Sequence, residues 1–198
     1  GALATRVLAA TGARIACVSE DLRRRLVALA DPETRPLLDA RSAALPMGVN
    51  VDALRPTTPR VAEAGRLSVL FLGRLVPIKG VRVLARAVAG LAGVTLHVAG
   101  EGPESSHLGD AVVHGPVGSA ARRALLGAAD VLCLPSLALP DGRTEGTPTV
   151  LIEAMAAGLP VVASDIHGYK RVVQRNVTGL LVEPKDSDAL CAALARLA

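Results

Sequence analysis

From residue 67 to the end of the chain, short apolar runs alternate with amphipathic segments, and this alternation constrains the fold more than any other feature. Six runs predict buried strands: LSVLFLG, VTLHVAG, AVVHGPV, DVLCLPS, PVVASD and TGLLV. Segments with helical spacing are GVRVLARAVAGLA, SAARRALLGAA, TVLIEAMAAG, the short YKRVVQR and DSDALCAALARLA, the last capped by Asp186 or Ser187. Continuous apolar strands separated by helices are typical of a parallel sheet covered on both faces. We therefore predict an α/β fold, a Rossmann-like doubly wound parallel sheet, from about residue 67 onward.

The first third of the chain is organised differently. The run ARIACVS, which begins at Ala13, predicts a strand, and EDLRRRLVALA after it predicts a helix with Ser19 as its N-cap. Residues 31–66 contain several prolines and predict a loose connection, with a short strand near Ala43 to Pro46.

Composition limits the classes of partner. Apolar residues make up 51% of a 198-residue chain, which is enough for one full domain, or for one domain and part of another. Its aromatic residues are Phe71 and Tyr169, so a base-stacking surface is not expected. The clusters Arg23–Arg25 and Arg122–Arg123 predict solvated helix faces. We therefore expect no nucleic-acid partner, and the net charge of +4 leaves an anionic small molecule and a lipid surface open.

Several common site types are not indicated by the sequence. Three cysteines lie far apart in apolar runs, which favours free thiols in a reducing compartment over disulfides: Cys17, Cys133 and Cys191. Four histidines are dispersed and predict no metal site: His97, His107, His114 and His167. The sequence carries no dinucleotide fingerprint, no Walker A motif and no G-x-S-x-G element.

Glycines recur where the predicted strands end. They are Gly73, Gly80, Gly100, Gly102, Gly115, Gly118, Gly142, Gly146 and Gly168. Any one of them is explained by the geometry of a turn. The carboxyl ends of parallel strands share one edge of the sheet, where doubly wound folds bind their ligands. Together the glycines therefore indicate that backbone is brought close to a ligand.

Two cations flank the loop after the first of these strands. Arg74 and Lys79 lie five residues apart around a turn that contains Pro77. At a strand's carboxyl end they can converge on a diphosphate, with arginine as a fork and lysine as a point charge. The alternative is a pair of ordinary surface cations.

The stretch TEGTPTVLIEAMAAGLP (residues 144–160) predicts a second part of the same anion site. Its Thr147-Pro148-Thr149 turn opens a helix that Gly158 closes, and Pro148 is expected in the first helical turn. The amides of Thr149 and Val150, together with the helix dipole, favour a phosphate.

Two carboxylates accompany that turn. Glu153 lies one turn into the helix, and helical side chains tilt toward the amino end, so its carboxylate suits the paired hydroxyls of a ribose. Glu145 precedes the turn and would hold a hexose hydroxyl on the other side of the phosphates. The alternatives are an exposed Glu153 and a Glu145 that caps the helix.

In this order, five motifs resemble those of the retaining GT-B glycosyltransferases of family 4. They are Gly73-Arg74-x4-Lys79-Gly80, VAGEGP, VHGPV, Glu145-x7-Glu153 within EGTPTVLIEAMAAGLPVVAS, and GLLVEPKD. The resemblance runs from about Ala13 to the end of the chain. In IHGYKRVV, the residues Tyr169-Lys170-Arg171 resemble the variant found in phosphatidylinositol mannosyltransferases and their kin, a hint of GDP-mannose or of a lipid acceptor.

The resemblance implies roles for these residues. Arg74, Lys79 and Glu145 would be catalytic, since the two cations would stabilise the leaving nucleotide and Glu145 would hold the transferred sugar, while Glu153 would hold the ribose. Sugar and phosphate would be lined by Gly146, Thr147, Pro148, Thr149 and Val150. The rest of the donor-binding set would be Gly73, Gly100, Gly115 and Val117, with Arg122 near the base. The donor would be a UDP- or GDP-linked sugar, with no metal and no cofactor required.

The resemblance also implies a domain arrangement. Residues 1–45 would end an N-terminal acceptor domain, residues 46–66 would be the interdomain linker, and residues 67–198 would bind the donor. LPMGVNVDALRP is similar to the family's linker, although Met47 and Asn50 depart from it. Because most of the acceptor domain is absent from this sequence, we expect the chain to bind donor but not to transfer sugar by itself.

The leading hypothesis is therefore a cytoplasmic retaining hexosyltransferase that acts on an unknown glycan, lipid or small-molecule acceptor. The resemblance allows peripheral membrane contact, at the inner face of the membrane, through the rest of the N-terminal domain. One alternative is a non-catalytic nucleotide-sugar-binding module, which fold alone would allow but which has no use for a sugar-contacting Glu145. A phosphorylase-like GT-B enzyme is a third alternative, although no cofactor-binding lysine motif is evident.

Overall fold

The computed structural model describes residues 2–56, 60–61, 63–139 and 145–198. Gly142, and residues 57–59 and 62 of the predicted linker, lie outside the described residues. The chain divides into two compact units, Gly1–Gly48 and Val49–Ala198. None of the helices in the described ranges combines the length and the apolar character that crossing a bilayer requires.

The first unit contains three helices and a two-stranded parallel sheet. Its elements are α1 (Ala2–Ala10), β1 (Ile15–Cys17), α2 (Glu20–Ala28), α3 (Arg35–Arg41) and β2 (Ser42–Ala44). The predicted strands here are confirmed, and β1 pairs with β2 with Ile15 opposite Ser42. Ser19 caps α2 as predicted, because its side chain accepts a hydrogen bond from the Leu22 amide. Helix α3 lies in residues 31–66, for which the sequence predicts a loose connection with a short strand and no helix.

The second unit is built on a six-stranded parallel sheet. Its strands are β3 (Leu67–Leu72), β4 (Val94–Ala99), β5 (Val112–Gly115), β6 (Val131–Leu134), β7 (Val161–Ser164) and β8 (Gly179–Val182). Its helices are α4 (Val51–Leu54), α5 (Val81–Ala89), α6 (Ser119–Ala128), α7 (Thr149–Ala156) and α8 (Ser187–Ala195), with 3₁₀ turns at Pro77–Lys79 and Pro103–His107. All six strands predicted from the apolar runs are present.

The strand order explains where a ligand can bind. Across the sheet it is β5-β4-β3-β6-β7-β8, so the chain winds outward in one direction from β3 and in the other direction from β6. Parallel crossovers are right-handed, which places α5 and α7 on opposite faces. The α/β fold with a doubly wound parallel sheet is therefore confirmed, and its switch point lies between β3 and β6.

The core is formed by the central strands and the helices that cover them. Every residue of β6 and β7 is buried, and in β3 only Ser68 is partly exposed, whereas Val112 and Val113 of the edge strand β5 are exposed.

Asp186 caps α8 by accepting hydrogen bonds from the amides of Asp188 and Ala189, which confirms the first of the two predicted caps.

One predicted helix of the second unit was wrong, and two histidines lie closer together in the fold than in the sequence. YKRVVQR forms turns rather than a helix, and the chain then reverses through Asn176, at a φ of 61°, into β8. The histidines are not all dispersed, since parallel pairing of β4 with β5 brings two of them together. The rings of His97 and His114 stack with centroids 5.3 Å apart, and partial burial, together with the neighbouring imidazole, lowers the pKa of His97.

Glycine is required at Gly80, where the loop after β3 meets the loop after β6. Gly80 has a φ of 67°, and a Cβ atom there would lie 2.0 Å from the carbonyl oxygen of Pro135. Gly109 has a similar φ of 59° but nothing within 4 Å of such an atom. Substituting alanine at each of the two glycines therefore distinguishes the cost of the backbone conformation, which both positions share, from the cost of a steric clash, which only Gly80 has.

We predict that Gly80→Ala lowers the free energy of unfolding more than Gly109→Ala does. The left-handed conformation alone costs an alanine about 1–2 kcal/mol, and Gly80→Ala must in addition displace the backbone of Pro135. Urea unfolding curves of the two variants and the unmodified chain measure the difference. Equal losses for the two variants would show that the loops can separate freely.

Candidate functional site

A cleft of about 440 Å³ lies at the carboxyl edge of the sheet, at the switch point between β3 and β6. It is lined by Leu72, Gly73, Arg74, Lys79, Ala99, Gly100, Glu101, Pro116, Val117, Arg122, Glu145, Pro148, Thr149 and Val150. These residues follow β3, β4, β5 and β6, because parallel strands deliver all their carboxyl ends to one edge.

The loop after β3 contributes the two predicted cations. Lys79 ends a 3₁₀ turn, and its Nζ lies 2.9 Å from Oε2 of Glu145, with both side chains largely buried. Arg74 is exposed at the mouth of the cleft and forms no hydrogen bond or ion pair with any residue that the structure describes. The guanidinium of Arg74 therefore remains available for an anion, whereas Lys79 bridges two loops.

The loop before α7 forms the opposite wall. Pro148 is the N-cap residue of α7, one position before its predicted place in the first turn, and its side chain makes no capping bond. Thr149 and Val150 are the first two residues of the helix, where amides have no acceptor within the helix. Both residues line the cleft. The α7 amino end thus combines unused amides with the positive end of a helix dipole.

The ion pair with Lys79 decides between the two interpretations of Glu145. A capping carboxylate would accept hydrogen bonds from the first amides of α7, and Glu145 instead accepts from Lys79 across the cleft. Glu145 is therefore part of the cleft wall and not the cap of the helix.

Glu153 is joined to the cleft through α6. Arg122 Nη1 donates to Oε1 of Glu153 at 3.0 Å and to Oε2 at 3.3 Å, and the Glu153 side chain is only 14% exposed. This excludes the exposed Glu153 that the sequence allowed. Arg122 itself lines the cleft and remains 43% exposed, so its guanidinium is partly solvated while it pairs with a nearly buried carboxylate.

Nine of the residues predicted to bind donor line the cleft together: Gly73, Arg74, Lys79, Gly100, Val117, Glu145, Pro148, Thr149 and Val150. The remaining predicted residues adjoin it. Gly115 accepts a hydrogen bond from the Gly100 amide through its carbonyl, Glu153 binds Arg122, and Gly146 and Thr147 connect Glu145 to Pro148.

Sequence reasoning missed how the charges pair. Lys79 and Glu145 are 66 residues apart, and Arg122 and Glu153 are 31 apart, so no local pattern reveals either contact. The signal in the sequence that could have pointed to these four residues was their position relative to the predicted strands. All four residues lie in, or within one helical turn of, segments that follow a strand's carboxyl end.

Comparison with known proteins identifies the family. A family model described as glycosyl transferases group 1 matches residues 66–198, which is more than half of the chain. The chain belongs to the glycosyl transferases group 1 family. Over 174 residues it is 41% identical to the phosphatidyl-myo-inositol mannosyltransferase of Mycobacterium leprae (strain TN), a match that covers 81% of this chain and 45% of the relative.

Another glycosyltransferase is similar over most of the chain. The D-inositol 3-phosphate glycosyltransferase of Mycobacterium avium (strain 104) is 33% identical over 201 residues, covering 87% of this chain and 46% of that protein. Group 1 glycosyl transferases of this kind are thus about twice as long as the stretch that matches here, and the chain spans less than half of the length of these relatives.

Solved structures show the same fold. The crystal structure of Anabaena HepE in complex with UDP and glucose superposes with a TM-score of 0.74 at 18% identity, covering 97% of this chain and 56% of that chain. Because the sequence identity is low, this likeness shows that the chain has the GT-B fold and says nothing about its ligand or activity.

We predict that the Lys79–Glu145 pair is more strongly coupled than a surface pair of equal length. A double-mutant cycle with Lys79→Met and Glu145→Gln should give a coupling free energy of about 1–3 kcal/mol, since both groups are largely desolvated. The Arg25–Asp21 pair is also 2.9 Å long, but its side chains are 61% and 37% exposed. Its coupling should be below about 0.5 kcal/mol. Urea unfolding measures both, and equal coupling would contradict a desolvated pair in the cleft.

Proposed function

We propose that this chain is the donor-binding part of a retaining hexosyltransferase, which moves a hexose from a UDP- or GDP-linked sugar onto an acceptor glycan, lipid or small molecule. The observation that carries the proposal is the convergence of Arg74, Lys79 and the α7 amino end on one cleft at the switch point of the sheet. Such crevices are where doubly wound folds hold nucleotides.

The cations and the helix end suit a diphosphate. Arg74 can donate two parallel hydrogen bonds to phosphate oxygens, and Lys79 supplies a second charge on the same side of the cleft. Thr149 and Val150 line the same cleft at the amino end of α7, where the first amides and the helix dipole favour an anion. An anion between the two walls would be contacted from both sides.

The two carboxylates suit the uncharged parts of the donor, which are its nucleoside and its transferred sugar. Glu153 is held by Arg122 beside the end of the cleft formed by Pro116 and Val117, where a ribose and base would fit. Glu145 lies at the Lys79 end, where it can accept a hydrogen bond from a sugar hydroxyl. Roles as hydrogen-bond acceptors require neither carboxylate to transfer a proton.

The chemistry then depends on the leaving group. Transfer breaks the bond between the anomeric carbon and the β-phosphate oxygen, forms a bond from that carbon to the acceptor oxygen, and releases the acceptor's hydroxyl proton. Negative charge grows on the departing diphosphate, where Arg74, Lys79 and the α7 amides would stabilise it. Positioning of the sugar by Glu145 would supply the remaining part of the rate acceleration.

The family relatives support the class of substrate. HepE was crystallised with UDP and glucose, and a TarM structure contains UDP together with α-GlcNAc-glycerol. The phosphatidyl-myo-inositol mannosyltransferase of M. leprae is named for a lipid acceptor and a mannosyl group. These names favour a nucleotide-sugar donor and make a lipid one of the acceptors to try with the whole protein. We propose that the whole protein acts in the cytoplasm, at the inner face of the membrane where the acceptor is a lipid.

Calorimetry with UDP-glucose, GDP-mannose, UDP and GDP tests the proposal on this chain. At least one of the nucleotide sugars should bind, and Arg74→Ala or Lys79→Ala should weaken it about 10- to 100-fold, the scale of one charge-assisted contact. Arg86→Ala is the matched control, because it removes the same charge from the exposed face of α5, outside the cleft.

Glu145→Ala tests whether the site recognises the sugar of the donor or only its nucleotide. If Glu145 contacts the sugar, its loss should weaken UDP-glucose or GDP-mannose more than UDP or GDP. Equal losses would favour a nucleotide-binding module, and an absence of nucleotide-sugar binding by the unmodified chain would overturn the proposed site.

A further inference from the structure

We propose that the turn after β7, residues Ile166–Tyr169, is a positioning element that fixes the backbone at Glu145–Thr147 and so aims the Glu145 carboxylate into the cleft. We call this turn the β7 turn. The sugar-binding consequence rests on the proposed function, whereas the mechanical role depends only on this chain. None of the four residues lines the cleft.

The first observation is a close backbone contact. A Cβ atom at Gly168 would lie 2.2 Å from the carbonyl oxygen of Gly146 and 2.7 Å from that of Glu145. Both neighbours are backbone atoms, which cannot rotate away as the end of a side chain would. The φ of Gly168 lies outside the left-handed region, so only the approach of the other loop requires glycine here.

The second observation is a hydrogen bond at the same place. Thr147 Oγ1 donates to the carbonyl oxygen of Gly168 at 3.4 Å. The backbone of residues 145–147 is therefore in contact with Gly168 in two ways, through the close carbonyls of residues 145 and 146 and through the weak bond from Thr147.

The third observation is a buried anchor for the β7 turn itself. Tyr169 is fully buried, and its hydroxyl donates to Oγ of the equally buried Ser136 at 2.6 Å. Within the turn, the amide of Tyr169 donates to the carbonyl oxygen of Ile166, and the amide of Val173 donates to that of Tyr169. The turn is thus rigid and fixed to the segment that leaves β6.

These contacts join both ends of one loop. Ser136 stands just after β6, and Glu145–Thr147 stand just before α7, so the β7 turn contacts the loop between them where it starts and where it finishes. Glu145 reaches across the cleft to Lys79 from this held backbone. A small displacement of the backbone would be passed on to the Glu145 carboxylate, because that side chain is largely buried and held by Lys79.

Gly168→Ala, compared with Gly127→Ala, tests the proposal. Gly127 has nothing within 4 Å of an added Cβ atom and lies near the end of α6, so its substitution controls for the extra methyl group. Hydrogen exchange should be about tenfold faster in Gly168→Ala only at the amide of Leu151, which donates to the carbonyl of Pro148, and at the amides of Tyr169 and Lys170, which donate to that of Ile166. UDP-glucose or GDP-mannose should bind about tenfold more weakly, while UDP and GDP change less than about threefold.

Tyr169→Phe provides a second variant if Gly168→Ala does not fold, since it removes one hydroxyl and keeps the ring. It should show the same local exchange and the same selective loss of nucleotide-sugar affinity. A folded variant with unchanged exchange at the amides of Leu151, Tyr169 and Lys170 would overturn the proposal. So would equal weakening of nucleotide and nucleotide sugar, which a merely structural role produces.

The two proposals fail separately. If the unmodified chain binds no nucleotide sugar, the proposed function is wrong, and the exchange data alone decide whether the β7 turn fixes the loop. If the unmodified chain prefers nucleotide sugar to nucleotide and folded Gly168→Ala keeps both that preference and the original exchange, only the positioning role is wrong.

Discussion

Pairing of β3 with β6 is the constraint on which the rest of the second unit depends. The two strands align in parallel, with Val69 opposite Val131 and Leu70 opposite Leu132, and all four residues are fully buried. Both strands are buried on both faces of the sheet, so this pairing lies at the centre of the core. With the register fixed, the chain leaves β3 toward one half of the sheet and β6 toward the other, and a crevice remains between the two departing loops.

The crevice is polar because the loops that border it hold each other through charge. Lys79 joins the loop after β3 to the loop before α7, and Arg122 joins α6 to Glu153 of α7. The groups proposed to contact the donor therefore also fix α7 between its neighbours. A substitution at any of them should be judged by binding and by stability together, because one side chain serves both.

The sequence predicted those parts of the molecule that follow from periodicity. Apolar runs located all six strands of the large sheet, and the shared carboxyl edge brought Arg74 and Thr149 into one cleft. The sequence did not predict which side chains pair, because the Lys79–Glu145 contact joins residues that are 66 positions apart and depends on their rotamers. Helical spacing also failed for YKRVVQR, where burial of Tyr169 and Val173 four residues apart arises from two successive turns.

A crystal structure of this chain with a bound nucleoside diphosphate hexose tests the central claim most directly. The account predicts the diphosphate within hydrogen-bond distance of Arg74, Lys79 and the amides of Thr149 or Val150. A second cavity lies at the opposite end of the strands, bordered by Ser68, His97 and Asp130. A diphosphate ordered there, or at any place away from the β3–β6 crevice, would contradict the account.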